Sequence, residues 1–592
     1  MARRPHRITC TDSTRTRLHE QPSTDPHRLD LDRYLVPFAL RQVPQYRYDV
    51  IVVGSGAAGS FAALSAAAAG ASVAVVVKDE VGRTNTSWAQ GGVAAVLSAN
   101  DSIDSHVADT LAVGCGLSNE KVTRRIVEGG PGSIRRLLDL GAKFDSKPDG
   151  TFDLSMEGGH SHARILHARG DATGAEIQAT LTRAIEEHPS IDVFPDVFCV
   201  DVLTGDDGRA VGVLARDRGR GELVAYGSSQ VVLATGGGGQ IYRETTNPTI
   251  ATADGVAMGV RAGASVRDLE FVQFHPTCLY IAGAARVLIS EIVRGAGGML
   301  RDRDGHRFML DEHPDAELAP RDIVSRAVSQ RMVATGATSV GLDLSAIDRD
   351  PHEAFPGISR ICRFFGIDIA KDPIPVRPGC HYMVGGLKVD AEGRTTVPGL
   401  WAVGECSSTG LHGANRMGSN SLLEALVLGE TIGELAAQDA ARSGRPEIRS
   451  VSGRKHDPAP PGVQVNIADL TYSMKSMMWR QMGVERSDST MREALGTFAF
   501  WSRAVASLPL DSDNAVELVN MLTVARLATF GALERTESRG THFRTDYPER
   551  NDEDWCAHLE QVPIQEKGGA VERIELRREK VATSDAQGSV HA

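Results

Sequence analysis

Three glycines, Gly54, Gly56 and Gly59, mark a segment that could hold the pyrophosphate of a dinucleotide. They form a G-x-G-x-x-G pattern in the order Gly54, Ser55, Gly56, Ala57, Ala58, Gly59. Gly54 permits a tight turn, Gly56 carries no side chain that would block a close-lying pyrophosphate, and Gly59 lets a helix pack closely on a strand. The amino end of such a helix favours the two negative charges of the ligand.

The elements that must position this segment lie on either side of it. Residues 48–53 are a short β-branched run, residues 57–69 have a good helix composition, and residues 72–77 are a second apolar run. Together they predict a βαβ unit, and this context favours a dinucleotide over a chance glycine-rich turn. The second strand usually ends in an acid that holds a ribose, but this run ends at Lys78. Lys78 is either a solvated surface lysine or a cation beside adenosine phosphates.

Two further predicted strand ends favour FAD over NAD as the dinucleotide. The run 230–235 leads into Thr235, Gly236 and Gly237, and the run 400–403 ends at Gly404 and Glu405. Glu405 could accept hydrogen bonds from a sugar or ribityl chain, or it could be an ordinary acid at a helix amino end. A long flavin cofactor that touches dispersed segments accounts for all three strand ends better than a nicotinamide does.

The pattern as a whole predicts an α/β protein with a Rossmann-like FAD-binding domain, an inserted α+β capping domain and a C-terminal helical domain. Proline, glycine and charge dominate the segment predicted to be a linker, and apolar residues at helical spacing follow it. The predicted divisions are 45–268 and 382–446 for the FAD-binding domain, 269–381 for the capping domain, 447–466 for the linker, and 467–557 for the helical domain.

Both chain ends are predicted to be disordered. Residues 1–44 are rich in Arg, Thr, Asp and His and lack the apolar core of a signal peptide, so we predict a disordered extension with no targeting role. Residues 558–592 are polar, and we predict a disordered tail there.

Composition excludes several classes of function. The net charge of −12 is unsuited to binding nucleic acid. No apolar run reaches roughly 18 residues, which predicts no membrane span. None of the eight cysteines forms a C-x-x-C pair, so iron–sulfur clusters have no support, and scattered cysteines suit a cytoplasmic protein. His160, His162 and His167 are poorly spaced for a metal, and we predict none.

Eight segments, in order along the chain, carry a specific resemblance to a known family. They are residues 87–95, 157–162, 273–277, 318–322, 381–386, 412–422, 537–540 and 546–548; the first contains the sequence AQGG, and the segment 412–422 reads HGANRMGSNSL. These segments resemble those of the L-aspartate oxidases, a branch of the succinate dehydrogenase/fumarate reductase flavoprotein superfamily.

The resemblance implies one FAD per chain and oxidation of L-aspartate to iminoaspartate, with a hydride passing from C2 to flavin N5. The acceptor would be dioxygen or fumarate, and the product would enter quinolinate and NAD synthesis. Quinolinate synthase is a candidate partner, and the chain would be a monomer or a homodimer. Further cofactor contacts are implied at Asn85, Thr86, Gly91, Gly92, Asp254, Asn420, Ser421 and Leu422.

The resemblance also implies which residues meet the substrate. Arg416 is expected to clamp a carboxylate with paired hydrogen bonds, and His275 and His381 are expected to donate to carboxylates. Thr277 is either a further hydroxyl donor or a buried threonine satisfied by the backbone. Arg321 corresponds to the arginine of the proton-transfer step, as the proton donor when fumarate is reduced or as an orienting group for aspartate.

Glu157 is the predicted selector for an amino acid. A carboxylate near the α-amino group would attract aspartate and repel succinate, which has no ammonium group. Its alternative interpretation is a surface loop acid.

Two other classes of function stay open at this stage. A succinate dehydrogenase or fumarate reductase subunit usually carries a histidine, covalently joined to FAD, seven residues before the second glycine of the AQGG-like segment. Counting back from Gly92 gives Asn85, which cannot form that bond, so FAD is expected to be non-covalent. A flavoprotein that has lost its activity and serves as a binding module would have no reason to retain Glu157, His275, Arg321, His381 and Arg416 together.

Overall fold

The structure is a computed structural model, and it describes residues 25–282, 286–448, 451, 453, 465–566 and 569–581. Its helices, α1 to α15 in chain order, are Ala57–Ala68, Ile103–Val113, Glu120–Asp139, Thr173–Glu186, Asp254–Ala262, Glu291–Gly295, Met309–Glu312, Arg321–Thr335, Pro351–Ala354, Pro356–Phe364, Asn420–Ser443, Ile467–Gln481, Asp488–Ala506, Asp513–Glu534 and Asp552–Trp555. Short 3-10 turns occupy Leu40–Gln42, Thr86–Trp88, Gly239–Ile241, Ala316–Leu318 and Gly404–Cys406.

The strands, β1 to β23 in chain order, are Arg28–Leu31, Gln45–Arg47, Val50–Val53, Val73–Val76, Val93–Ala94, Leu154–Ser155, Ile165–Leu166, Ile191–Phe194, Val197–Thr204, Ala210–Asp217, Glu222–Gly227, Val231–Leu233, Val266–Arg267, Val272–Leu279, Val287–Leu288, Met299–Arg301, Val340–Asp343, Ile374–Met383, Gly386–Lys388, Leu400–Ala402, Ser407–Ser408, Ala557–Gln565 and Val571–Lys580.

A parallel five-stranded sheet in the order β20-β12-β3-β4-β8 forms the centre of the FAD-binding domain. Strands β3 and β4 are buried along their whole length, as expected for continuous apolar runs covered on both faces. The predicted βαβ unit is present as β3, α1 and β4, and the predicted later strands are β12 and β20 of the same sheet. The sheet therefore brings all three glycine-marked strand ends to one edge.

Helices α1 and α11 cross closely on one face of this sheet because glycines line the contact. A Cβ on Gly433 of α11 would lie 2.2 Å from the carbonyl oxygen of Ala62, and one on Gly429 would lie 2.7 Å from that of Ala58. This close contact fixes α11 against the dinucleotide segment. Residues 420–422 form the amino end of α11 and lie at the same edge of the sheet.

The capping region is built on a second five-stranded sheet, β15-β14-β18-β17-β16, whose paired strands are antiparallel. Helix α8 packs on β14, where Ser325 Oγ donates a 2.8 Å hydrogen bond to the carbonyl of Phe274. A separate apolar core, which includes Leu279, Leu300 and Ile374, holds these elements together. His275 on β14, His381 on β18 and Arg321 at the start of α8 are thus carried by one rigid unit.

Helices α12, α13 and α14 pack into the same apolar core as the FAD-binding domain through residues such as Met474, Met491 and Phe498. Among the described residues, α14 is the one helix whose length and composition would allow a membrane span. Within the protein, 94% of its apolar window is buried, so α14 is a core helix. An unbroken apolar run was the only criterion for a membrane span in the sequence, and α14 does not meet it because polar residues interrupt its apolar ones.

The prediction of disordered chain ends is wrong for the residues that the structure describes. Strands β22 and β23 form a hairpin, β1 pairs with β23, and all three belong to a six-stranded sheet in the order β1-β23-β22-β13-β19-β21. The sequence VERIELRREK of β23 was not predicted to be a strand because most of its side chains are charged. Its apolar residues Val571 and Ile574 are buried. Residues 1–24 and 582–592, and most of the predicted linker (449–450, 452 and 454–464), lie outside the described residues.

Candidate active site

A cavity of about 500 Å³ opens at the carboxyl ends of the parallel strands, where ligands of α/β sheets commonly bind. Its wall is formed by the dinucleotide segment, residues 83–92, the capping region and the start of α11. The predicted site residues that line it are Gly54, Ser55, Gly56, Ala57, Ala58, Lys78, Asn85, Thr86, Gly91, Gly92, Glu157, Thr235, Gly236, Asp254, His275, Arg321, His381, Gly404, Glu405, Arg416, Ser421 and Leu422.

The glycines of the dinucleotide segment have the geometry that the motif predicts. Gly54 has a φ of 109°, and a Cβ there would lie 2.3 Å from the carbonyl oxygen of Ala234. A Cβ on Gly59 would lie 2.1 Å from the carbonyl oxygen of Gly54, so Gly59 serves packing and does not itself line the cavity. Gly56 is the N-cap of α1, which directs the helix amino end into the cavity.

The polar groups of the wall fit a flavin dinucleotide. Glu405 Oε1 accepts a hydrogen bond from the backbone N–H of Met383, and its Oε2 accepts one from Asn85 Nδ2 at 3.1 Å. A Cβ on Gly237 would lie 2.2 Å from Glu405 Oε1, so Gly237 makes room for this carboxylate although it does not line the cavity. Buried oxygens of Ser55, Asn85 and Gln90 have no partner in the described part of the chain. They can bond to the sugar and ring groups of FAD.

Lys78 is neither a solvated lysine nor a free cation. Its ammonium lies 2.7 Å from carboxylates of both Asp254 and Glu517, and it also donates to Thr252 Oγ1. Asp254 Oδ1 accepts from Asn520 Nδ2 at 2.8 Å. Glu517 and Asn520 lie on α14, so the C-terminal helices support the end of the cavity at Lys78. The sequence did not predict this role because these residues are far from Lys78 along the chain.

Two arginines converge at the other end of the cavity. Nη1 of Arg321 and Nη1 of Arg416 both approach Oε1 of Gln273, at 3.1 and 3.4 Å. Arg416 Nη2 also donates to Ser421 Oγ at 2.6 Å. Burial, and then the neighbouring charge of Arg321, lowers the pKa of Arg416 to about 10, which still leaves Arg416 a cation at neutral pH. Such a pair of guanidinium groups suits a dianionic ligand.

Glu291 is a functional candidate that sequence reasoning missed. Its Oε2 accepts from Arg321 Nε at 2.7 Å and lies 3.7 Å from Nη2 of Arg294. Burial alone would raise the pKa of this carboxyl, but Arg321 and Arg294 lower it to about 2. Glu291 is therefore ionised and holds Arg321 in place. It is 30 residues from Arg321 in sequence, and no spacing pattern links the two.

His275 and His381 form a neutral pair, with ring centroids 5.3 Å apart. Burial, and then the charge of Arg321, holds the pKa of each histidine well below its usual value. The backbone N–H of Thr277 approaches His275 Nδ1 at 3.3 Å, so that nitrogen is an acceptor and the proton lies on Nε2. His275 is therefore a neutral hydrogen-bond donor.

Besides Gly59 and Gly237, two more predicted contacts are not part of the cavity wall. Thr277 is buried and its hydroxyl donates to the carbonyl of Ile289 at 2.8 Å, so its role is to orient His275. Asn420 is buried as well, between His106 Nε2 and Thr110 Oγ1, where it anchors the start of α11. In both cases neighbouring groups of the protein already satisfy the side chain, which the motif alone could not indicate.

Glu157 is buried in the wall of the cavity, with 6% of its surface exposed, so it is not a surface loop acid. Its Oε2 accepts from Ser419 Oγ at 2.7 Å. A Cβ on Gly418 would lie 2.8 Å from Glu157 Oε2 and 3.2 Å from Arg321 Nη2. Glu157 and Arg321 thus flank the same glycine, so a carboxylate and a guanidinium group lie side by side at this end of the cavity.

The three clustered histidines have separate structural partners. His160 Nε2 contacts the carbonyl oxygen of Gly418, His167 Nε2 contacts Ser155 Oγ, and His162 Nδ1 contacts Ser105 Oγ. Among the described residues, no group of three or more His, Cys, Asp or Glu side chains could hold a metal ion.

Two family models match this chain. The model for an FAD binding domain matches residues 49–422, and the model for the fumarate reductase flavoprotein C-terminal domain matches residues 471–587. E. coli quinol fumarate reductase superposes with a TM-score of 0.84 at 32% identity, over 92% of this chain and 99% of that chain. Fold and site therefore define a flavoprotein of the fumarate reductase type, which confirms the predicted fold class and FAD as the cofactor.

Relatives that match over most of both chains identify one family within this class. The L-aspartate oxidase of Streptomyces coelicolor is 42% identical over 86% of this chain and 90% of its own length. L-aspartate oxidase 1 of Ralstonia nicotianae is 43% identical over 85% of this chain and 96% of its own length. The chain belongs to the L-aspartate oxidase family, as the motifs predicted.

The FAD of this protein is expected to be released on denaturation. Asn85 lines the cavity and donates to Glu405, and an amide offers no nucleophile for a bond to the flavin. Precipitation with acid should leave a colourless pellet and a yellow supernatant, which absorbance of the two fractions measures. A pellet that retains the flavin band after washing would contradict this prediction.

Proposed function

We propose that this protein oxidises L-aspartate to iminoaspartate with FAD, the first step of NAD synthesis through quinolinate. The observation that carries the proposal is one cavity wall that combines two arginines, two neutral histidines and the carboxylate of Glu157. Two arginines suit the two carboxylates of the substrate, and Glu157 suits its ammonium group. Bound FAD supplies the acceptor for the hydride that leaves C2.

The residues of the capping region and of α11 fix the orientation of the substrate. Arg416 forms paired hydrogen bonds to one carboxylate, and His275 and His381 donate to carboxylate oxygens without adding charge. Arg321 faces the remaining carboxylate, held by Glu291 and Gln273. Since these groups are already ordered by their own partners, little entropy is lost when the substrate binds.

Glu157 acts on the amino group. As a carboxylate it stabilises the ammonium of bound aspartate, and it can accept the proton that this group loses as the imine forms. When fumarate is the compound that is reduced, its C2 takes up a hydride and Arg321 donates the proton that C3 takes up. Dioxygen or fumarate reoxidises the enzyme.

The first test is an anaerobic titration of the FAD-loaded protein. L-aspartate should bleach the visible flavin band, and succinate in a parallel cuvette should perturb the band without bleaching it. Bleaching by succinate alone would instead assign the protein to the dicarboxylate dehydrogenases. An unchanged spectrum with both compounds would refute a dicarboxylate site.

Binding of a dicarboxylate is expected to be insensitive to the usual titration of histidine. If His275 or His381 became charged near its ordinary pKa, a dianion would bind more tightly as the pH falls. Because both pKa values lie well below that value, the dissociation constant of succinate, corrected for the ligand's own titration, should stay constant between about pH 6 and about pH 8. Flavin absorbance measures it. A tenfold tightening toward the acid end would contradict neutral histidines.

The wider setting of the reaction follows from the same proposal. In the cytoplasm both aspartate and fumarate would be available to the enzyme. Iminoaspartate is a reactive product, so direct transfer to quinolinate synthase would be useful, either from a monomer or from a homodimer. Co-purification with that enzyme, and light scattering of the protein alone, test these two points.

A further inference from the structure

A buried polar cluster lies beside Arg416, and the proposed mechanism does not use it. It consists of Tyr382 on β18, His412 in the loop before α11, and Glu424 on α11. The hydroxyl of Tyr382 lies 3.2 Å from His412 Nε2 and 3.5 Å from Glu424 Oε2, and His412 Nε2 lies 3.1 Å from the same oxygen. All three side chains are buried, and Tyr382 alone lines the cavity.

The hydrogen bonds of the cluster determine where its protons lie. His412 Nδ1 is buried and has no partner among the described residues. A proton on Nε2, directed at Glu424, leaves only a lone pair unsatisfied at Nδ1, which costs less than an unsatisfied N–H. Nε2 then cannot accept from Tyr382, so the phenol donates to Glu424. Thr409 Oγ1 donates to the other oxygen of Glu424 at 2.5 Å.

The ring of Tyr382 is the support for Arg416. The guanidinium carbon of Arg416 lies 4.9 Å from the centroid of this ring, within the range of a cation–π interaction. A phenol that donates its proton to a carboxylate has a more electron-rich ring, which strengthens the attraction for a cation. Glu424 therefore acts on Arg416 through Tyr382 without touching it.

Arg416 needs such support because the neighbouring charge of Arg321 repels it. Arg321 carries the same charge and contacts the same amide oxygen of Gln273, and the remaining fixed bond of Arg416 goes to Ser421 Oγ. Arg416 Nε has no partner in the described part of the chain, so Glu291 and other acids do not hold it from that side. The aromatic face is an attractive contact that opposes the charge of Arg321, in addition to the charges of Glu157 and Glu405.

We propose that Tyr382, polarised by Glu424, is a positioning residue that holds Arg416 against Arg321 in the geometry that receives a substrate carboxylate. This inference rests on the proposed dicarboxylate substrate. It assigns to Tyr382 an effect on substrate binding that acts through the electron density of its ring.

The experiment replaces Tyr382 in the FAD-loaded protein by phenylalanine and by mono-, di- and trifluorinated phenylalanine. Fluorination withdraws electron density from the ring face while its shape is nearly unchanged. The dissociation constant of succinate, read from the flavin spectrum, should rise stepwise with each fluorine, by about tenfold to thirtyfold over the series. Tyr382→Phe and Glu424→Gln alone should each weaken binding by about threefold, because the first removes the hydrogen bond that enriches the ring and the second removes the negative charge of its acceptor.

The controls separate positioning from a general loss of structure. Tyr242 is also buried, and its hydroxyl has no partner among the described residues, so Tyr242→Phe should bind succinate as the wild type does. FAD content and melting temperature should stay constant across the fluorinated series, and the KM for L-aspartate should rise more than kcat falls. A flat series with intact FAD would overturn the inference. Wild-type protein that binds neither succinate nor L-aspartate would overturn the proposed function instead.

Discussion

Replacing Glu157 by glutamine is expected to lower kcat/KM for L-aspartate by about tenfold to a hundredfold, which corresponds to the loss of one charged hydrogen bond. The same change should leave fumarate reduction unaltered or faster, because the wall no longer repels a dianion. The oxygen of the introduced amide could still accept the hydrogen bond that Ser419 Oγ donates, so the fold of the loop should be kept. The measurement is the ratio of the two activities in one preparation.

A matched control removes a different negative charge from the same cavity. Asp171 lines the wall but has no role in the proposed mechanism, and Asp171→Asn should leave the ratio of aspartate to fumarate turnover unchanged. If Glu157→Gln lowered both activities equally, Glu157 would not be the group that distinguishes the amino acid from the simple dicarboxylate.

Arg321→Leu is expected to lower fumarate reduction by about a hundredfold to ten-thousandfold, the usual contribution of a general acid. Aspartate oxidation should fall less, because that reaction requires Arg321 only for orientation. The substitution also leaves Glu291 buried with Arg294 at 3.7 Å as its remaining cation, so the free energy of unfolding should fall by about 3–5 kcal/mol. Stopped-flow reoxidation by fumarate and urea unfolding of the FAD-loaded protein measure the two effects.

A double variant can separate the loss of stability from the loss of fumarate reduction. Glu291→Gln in the Arg321→Leu background removes the buried carboxylate that has lost its closest cation, and most of the lost stability should return while fumarate reduction stays low. Recovery of both would mean that Arg321 contributes only through the stability of the capping region. Equal losses of both reactions in Arg321→Leu would argue against its role as a proton donor.

The sequence predicts those parts of the fold and site that depend on local patterns. The glycines at 54, 56 and 59 have fixed roles in a strand–turn–helix unit, and the structure places them as the motif requires. The apolar runs that predicted strands all belong to one parallel sheet. Such features arise from neighbours in sequence, so spacing is enough to identify them.

Features that depend on distant partners could not be predicted in this way. Glu291 and Gln273 act through Arg321, and Glu517 acts through Lys78, each across a long stretch of chain. Strand β23 forms because β22 and β1 pair with it, although its own composition is that of a charged tail. Thr277 has a hydroxyl group that could donate to a substrate, but this hydroxyl already donates to the backbone carbonyl of Ile289.

The six-stranded sheet that joins β1 to β23 has a consequence for the biogenesis of the protein. Arg28 of β1 is paired with Arg573 of β23, and Leu31 with Val571, so the ribosome must synthesise every residue between the two strands before this sheet can close. Until then β1 has no strand to pair with, and Leu29 and Leu31, which are buried in the finished protein, lie on an unpaired segment. The backbone of this segment therefore stays unpaired during that part of translation, and chaperones have that interval in which to bind it.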